Sequence, residues 1–169
     1  MENIIMILIG VAGLVIGGLA INIMWSRRMA NRKMFTSNDN SASTQLQLQA
    51  YERLVVLVDR IALPNLISRV GQADISARDM QMILTRNIRE EFEYNISQQI
   101  FVTPEAWNSV KNLKEQNLLI INQLANILPP NASSLDLNKQ LLQYLMNDKK
   151  GTLHEVVSEV LSYEAKKLM

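Results

Sequence analysis

Hydrophobic positions divide the chain into two regimes. From Ile4 to Trp25 the run IIMILIGVAGLVIGGLAINIMW has no charge and one polar side chain, Asn22. From about Leu46 onward apolar residues recur every three or four positions, the repeat of helices that each bury one stripe. Between them Met34 to Gln45, MFTSNDNSASTQ, is polar and poor in bulky apolar residues, which predicts a flexible linker. The expected organisation is an anchor over 1–25, a basic flank and linker over 26–45, and a helical-bundle domain over 46–169.

The helical pattern predicts an all-α fold. In the first helix Tyr51, Leu54, Val55, Val58, Ile61 and Ala62 share a face, and Glu52, Arg53, Asp59 and Arg60 lie away from it. Pro64 ends that helix or starts a short one through Leu66, Ile67 and Val70, which Gly71 closes. Ser76, with Asp79 three residues on, is expected to cap the next helix. There Met80, Leu84, Ile88, Phe92, Ile96 and Ile100 recur at steps of four, so the stripe drifts ~40° per step and calls for different neighbours along its length. Thr103-Pro104-Glu105 is a helix start, and its helix carries Trp107, Val110, Leu113, Ile120, Ile121, Leu124 and Leu128 up to Pro129-Pro130. Ser133 or Ser134 caps a helix with Leu137, Leu141, Leu142 and Leu145. Gly151 precedes a capping box, Thr152 to Glu155, and a last apolar face of Leu153, Val156, Val157, Val160, Leu161 and Leu168. Short connections predict an antiparallel bundle of four long helices plus one short helix.

The first regime has the properties of a membrane span. Its 22 residues make a helix about 33 Å long, enough for a ~30 Å hydrocarbon layer. A cleaved signal peptide fits less well: only Met1, Glu2 and Asn3 precede the core, and no small-x-small cleavage pattern follows it. Arg27, Arg28, Arg32 and Lys33 follow the span, and Trp25 suits the headgroup level. The positive flank predicts an outward N-terminus and a cytoplasmic C-terminal domain. These cations set topology and can also attract anionic lipid. Gly13 and Gly17, with Gly10 nearby, permit close packing of a second membrane helix, although glycine is common in spans anyway.

Composition narrows the chemistry. Cysteine is absent and His154 is the lone histidine, which excludes disulfides, thiol nucleophiles and multi-histidine metal sites. Formal net charge is +1, and residues 34–169 carry 13 basic and 15 acidic side chains, so no nucleic-acid partner is expected. Glu90, Glu91 and Glu93 point in different directions on a helix, which suits a solvated face with Arg86–Glu90 and Arg89–Glu93 pairs better than a metal site. The chain has no phosphate-binding glycine loop and no nucleophile elbow. No catalytic residue, cofactor, metal or small-molecule substrate is therefore expected. Phe92, Tyr94, Phe101 and Trp107 cluster at one helix junction, as core or as a partner surface.

The stretch RNIREEFEYNISQQIFVTPEAWNSVKNLKEQ (86–116), together with YERLVVLVDRIALPNLISRV (51–70) and DISARDMQMILTRNI (74–88), resembles a family of short bacterial single-pass membrane-anchored helical proteins of unknown function. The resemblance implies a single-pass bacterial protein and carries no catalytic residues, and the span with its basic flank makes the inner membrane the expected location. The expected function is a non-enzymatic adaptor, scaffold or accessory subunit. Its expected partners are lipid along 4–25 and a protein partner or second copy through the membrane helix or the bundle. A membrane-tethered enzyme using carboxylates and His154 is the alternative. A stalk-like subunit is another, but Pro64, Pro104, Pro129-Pro130 and Gly151 interrupt the long helix it needs.

Overall fold

The computed structural model describes residues 41–147 and 153–169. Among them it holds α1 (41–61), α2 (Leu63–Val70), α3 (Ala77–Tyr94), a 3-10 turn (Ile96–Ile100), α4 (Pro104–Ile127), α5 (Ser134–Asn147) and α6 (Leu153–Lys166), and no strand beyond one isolated bridge. The fold is all-α. The described helices of fourteen residues or more number five, against the expected four, and α2 is the short one. The run expected to be an anchor (4–25), with Gly10, Gly13 and Gly17, and Trp25, Arg27, Arg28, Arg32 and Lys33 lie outside the described residues. No described helix is long and apolar enough to cross a membrane.

Residues 45–169 form one compact unit around a core of Leu54, Leu57, Ile61, Leu66, Met80, Leu84, Ile88, Val110, Leu113, Ile121, Leu137, Leu141 and Leu161. Ser41 to Gln45, expected in the linker, are already helical, since the good helix formers that follow propagate α1 backward by a turn. Leu57, absent from the expected face of α1, is fully buried, while Val55 is half-buried.

Caps set the other boundaries. Ser76 accepts from the Asp79 N–H at 3.1 Å, and Thr103 accepts from the Ala106 N–H at 3.2 Å. Ser133 caps α5: its hydroxyl accepts from the Asp136 N–H at 3.3 Å, and its own N–H donates to Asp136 Oδ2 at 2.9 Å. The starts of α3 and α5 are pinned side by side by Ala77 N–H to Ala132 O and Ser134 N–H to Ile75 O, both 2.9 Å. Gly71 ends α2, but at φ −59° it uses no left-handed conformation. Its lack of a side chain serves a close approach instead, since a Cβ there would sit 2.6 Å from the Ile67 carbonyl oxygen.

α3 packs against α2, α4 and α5, as its drifting stripe requires. Met80, Leu84, Ile88 and Phe92 are buried, yet the run does not continue to Ile100. Asn95 interrupts it: Nδ2 donates to Glu91 O at 2.9 Å and the backbone N–H to Phe92 O at 3.1 Å, so the chain tightens into the 3-10 turn. Ile96 and Ile100 are therefore exposed. Leu142 and Val156 are exposed as well, since α5 and α6 bury narrower stripes than expected, centred on Leu137/Leu141 and Val157/Leu161.

Candidate functional site

The break at Pro64 turns α2 back so that Arg60 of α1 and Arg69 of α2 reach the same carboxylate on α3. Arg60 Nε donates to Glu91 Oε1 at 2.8 Å, and Arg69 Nη1 lies 3.6 Å from the same oxygen. The hydrogen bond to Glu91 raises the Arg60 pKa from its ordinary value. Glu91 is thus not part of a solvated face as its spacing suggested, because its side chain is largely covered by two other helices. The Arg86–Glu90 pair does form on the outer face, at 2.6 Å.

Beside this network an open groove of about 840 Å³ runs between α1 and α3, floored by Val56 and Leu57 and walled by Glu52, Arg53, Glu90 and Tyr94. The Arg53 guanidinium stacks over the Tyr94 ring at 5.3 Å from its centre. Tyr94 is 75% exposed, and Ile96 and Ile100 (74% exposed), on the 3-10 turn that follows, are exposed as well. The buried Tyr51 hydroxyl accepts from the Thr103 N–H at 3.2 Å, tying α1 to the start of α4.

The aromatic cluster read from the sequence is divided by the fold. Phe92 is buried and meets Trp107 at 5.0 Å between ring centres, with Lys114 Nζ at 4.4 Å from the centre of the Phe92 ring. Phe101 is half-buried, and only Tyr94 stands out in solvent. The exposed isoleucines were missed as surface residues because the step-of-four pattern assigns them to the core. Asn95, a poor helix former ahead of them, is the signal that marks the change.

His154 is half-buried near the start of α6 and lines two clefts. In one, of about 660 Å³, it shares the walls with Glu115 of α4 and Tyr144 of α5. The hydrogen bond from Lys114 holds the Glu115 carboxyl below its usual range. In the other, of about 790 Å³, His154 shares the walls with Asp59 of α1 and with Glu155 and Glu159. Among the described residues no three histidines or carboxylates gather as a metal site would need.

The fold and its grooves define a small helical bundle with an exposed aromatic and aliphatic edge. Residues 1–168 match a family of unknown function, DUF7935, and the chain belongs to that family. No curated protein and no solved structure matches it.

Proposed function

We propose that this chain is a single-pass bacterial inner-membrane protein whose cytoplasmic helical bundle acts as an adaptor or accessory subunit of a larger membrane assembly. The observation that carries the reading is the exposed edge formed by Tyr94, Ile96 and Ile100 on a bundle joined to a 22-residue uncharged run. Three large exposed side chains within the stretch 94–100, the first with Arg53 against it, have the make-up of a protein contact surface. The Gly13–Gly17 spacing offers a second contact within the bilayer.

The test is purification of the full chain from membranes in mild detergent, at native expression, beside an Ile100→Asp variant. A stoichiometric partner protein that co-purifies with the wild type and is lost from the variant supports the reading. Recovery of monomer alone in both overturns it.

One observation favours the rival reading of a membrane-tethered enzyme: His154 shares a cleft with carboxylates from other helices, Glu115 on one side and Asp59 on the other. Under that reading His154→Ala abolishes whatever turnover a metabolite screen detects while leaving partner recovery unchanged. Under the adaptor reading it alters neither.

A further inference from the structure

α6 runs antiparallel to α1. Asp59, near the end of α1, shares a groove with His154 at the start of α6, and Gln45 and Leu48, near the start of α1, share another with Lys166 and Met169. The last turn of α6 therefore lies at the end of the bundle where α1 begins. That end is also the one joined to the proposed span. The uncharged run stops at Trp25 and the described chain starts at residue 41, so residues 26–40, fully extended, reach at most ~50 Å. Among these residues are Arg27, Arg28, Arg32 and Lys33.

The side chains at this end suit a headgroup layer. Tyr163 is exposed and Met169 is 89% exposed. Lys166 is exposed and has no ion pair among the described residues. Lys167 lies over the Tyr163 ring at 4.3 Å and pairs with Glu164 at 2.6 Å. Long lysine stems beside an aromatic ring and a thioether place apolar atoms at the depth of the acyl boundary and ammonium groups among phosphates.

We propose that the end of the bundle formed by the last turn of α6, with Tyr163, Lys166, Lys167 and Met169, binds the anionic surface of the bilayer that holds residues 4–25. The inference rests on the anchor reading above. It makes the bundle a surface-seated body, with α6 as a second, reversible attachment. Lys166, which has no ion pair among the described residues, and the short tether select an anionic lipid surface as the occupant, while Lys167 shares its charge with Glu164. Each lysine near such a surface strengthens the contact about fivefold, and the effect fades beyond a Debye length of ~8 Å at physiological salt.

The chain has no cysteine, so a single probe can be placed at will. Met169→Cys in the full chain, labelled with an environment-sensitive fluorophore, is reconstituted into vesicles of brominated phosphatidylcholine with or without phosphatidylglycerol. Asn131→Cys, at the opposite end of the bundle, is the control. Flotation is scored first and separately. The expected result is bromine quenching at position 169 but not at 131, stronger with phosphatidylglycerol, falling about fivefold for each of Lys166→Gln and Lys167→Gln and falling again in high salt. Chains that float yet show equal quenching at the two positions, or quenching blind to lipid charge and to both substitutions, overturn the inference and leave the anchor standing. Chains that fail to float with either vesicle overturn the anchor and this inference together.

Discussion

Asn117 offers the sharpest test of how the bundle is held together. Pro64 has no N–H, so the last carbonyls of α1 lose backbone donors. Three side chains replace them: Asn65 Nδ2 donates to Asp59 O at 3.1 Å, Arg69 Nη2 to Arg60 O at 3.1 Å, and Asn117 Nδ2 to Ile61 O at 2.7 Å. The first two lie near solvent, where water can substitute. The third is buried between α1 and α4 and joins residues 56 apart in the chain. Asn117→Ala leaves the Ile61 carbonyl without a donor, which costs about 1–3 kcal/mol, and opens a small cavity besides. A total of roughly 2–3 kcal/mol lowers the urea midpoint by about 1 M at an ordinary slope. The assay is urea unfolding of the full chain in mild detergent, followed by helical circular dichroism.

Asn117→Asp separates the donor from the packing. It keeps the shape and replaces the amide N–H with an acceptor facing a carbonyl. Burial and that carbonyl both disfavour the charged form, so the folded pKa rises above the unfolded ~3.9. For an acid shifted upward, the protonated form is the one the fold prefers. The deficit relative to wild type is thus smallest below about pH 4 and grows as pH rises through the folded value. A wild-type midpoint for Asn117→Ala, or a deficit in Asn117→Asp that ignores pH, would refute the assignment of the donor to Ile61.

Phe92→Ala should cost about 3–5 kcal/mol, while Tyr94→Ala should cost under ~1 kcal/mol, both read from urea midpoints; similar costs would show that the two rings are not divided between core and surface. Gly71→Ala should destabilise by about 1–3 kcal/mol, because its Cβ would sit 2.6 Å from a backbone oxygen that cannot step aside, and a neutral result would count against that close approach. Asp136 is held below the usual carboxylate range, first by the backbone N–H of Ser133 and then by its hydroxyl. A depressed carboxylate stabilises the start of α5 above its unfolded pKa and loses that effect as pH falls through the lower folded value. The melting-temperature gap between wild type and Asp136→Asn should therefore shrink as pH falls below about 4, and a gap independent of pH would remove the cap from the account.

Much of the fold is readable from local chemistry. Ser76, Thr103 and Ser133 start helices because a hydroxyl satisfies a free N–H within a few residues, and that is visible in a short window. What escapes is non-local. Glu91 looks like one of three carboxylates on a wet face until Pro64 brings two arginines from other helices onto it. Ile96 and Ile100 keep the spacing of a buried stripe, and only the Asn95 side chain, bonding back to Glu91, diverts the chain before the stripe can be used. The exposed edge of the candidate site exists because a local hydrogen bond wins over a periodic pattern. Such outcomes depend on a balance of about 1 kcal/mol per bond, which periodicity does not report.

The position of that edge bears on the kind of partner it meets. Tyr94 lies against Arg53, and the 3-10 turn leads within a few residues to the Thr103 that Tyr51 holds, so the edge sits about midway along α1, roughly 15 Å from where the proposed tether attaches. A partner docking there meets a bundle tethered to the bilayer, so a partner that is itself membrane-bound gains from the shared surface through a raised effective concentration. In a chain carrying Lys166→Gln and Lys167→Gln, whose α6 contact with the bilayer is weakened, inserting about 30 Gly/Ser residues between Ser37 and Asn38 triples the 15-residue tether and, on a −3/2 power dependence, lowers that effective concentration about fivefold. The stability of the bundle should not change, since nothing in its core is touched. Partner recovery from membranes should then fall about fivefold at limiting expression, as judged by quantitative immunoblot of the co-purified protein. Unchanged recovery with the long tether would mean that the partner does not share the membrane and that the place of the edge near the tether has no functional consequence.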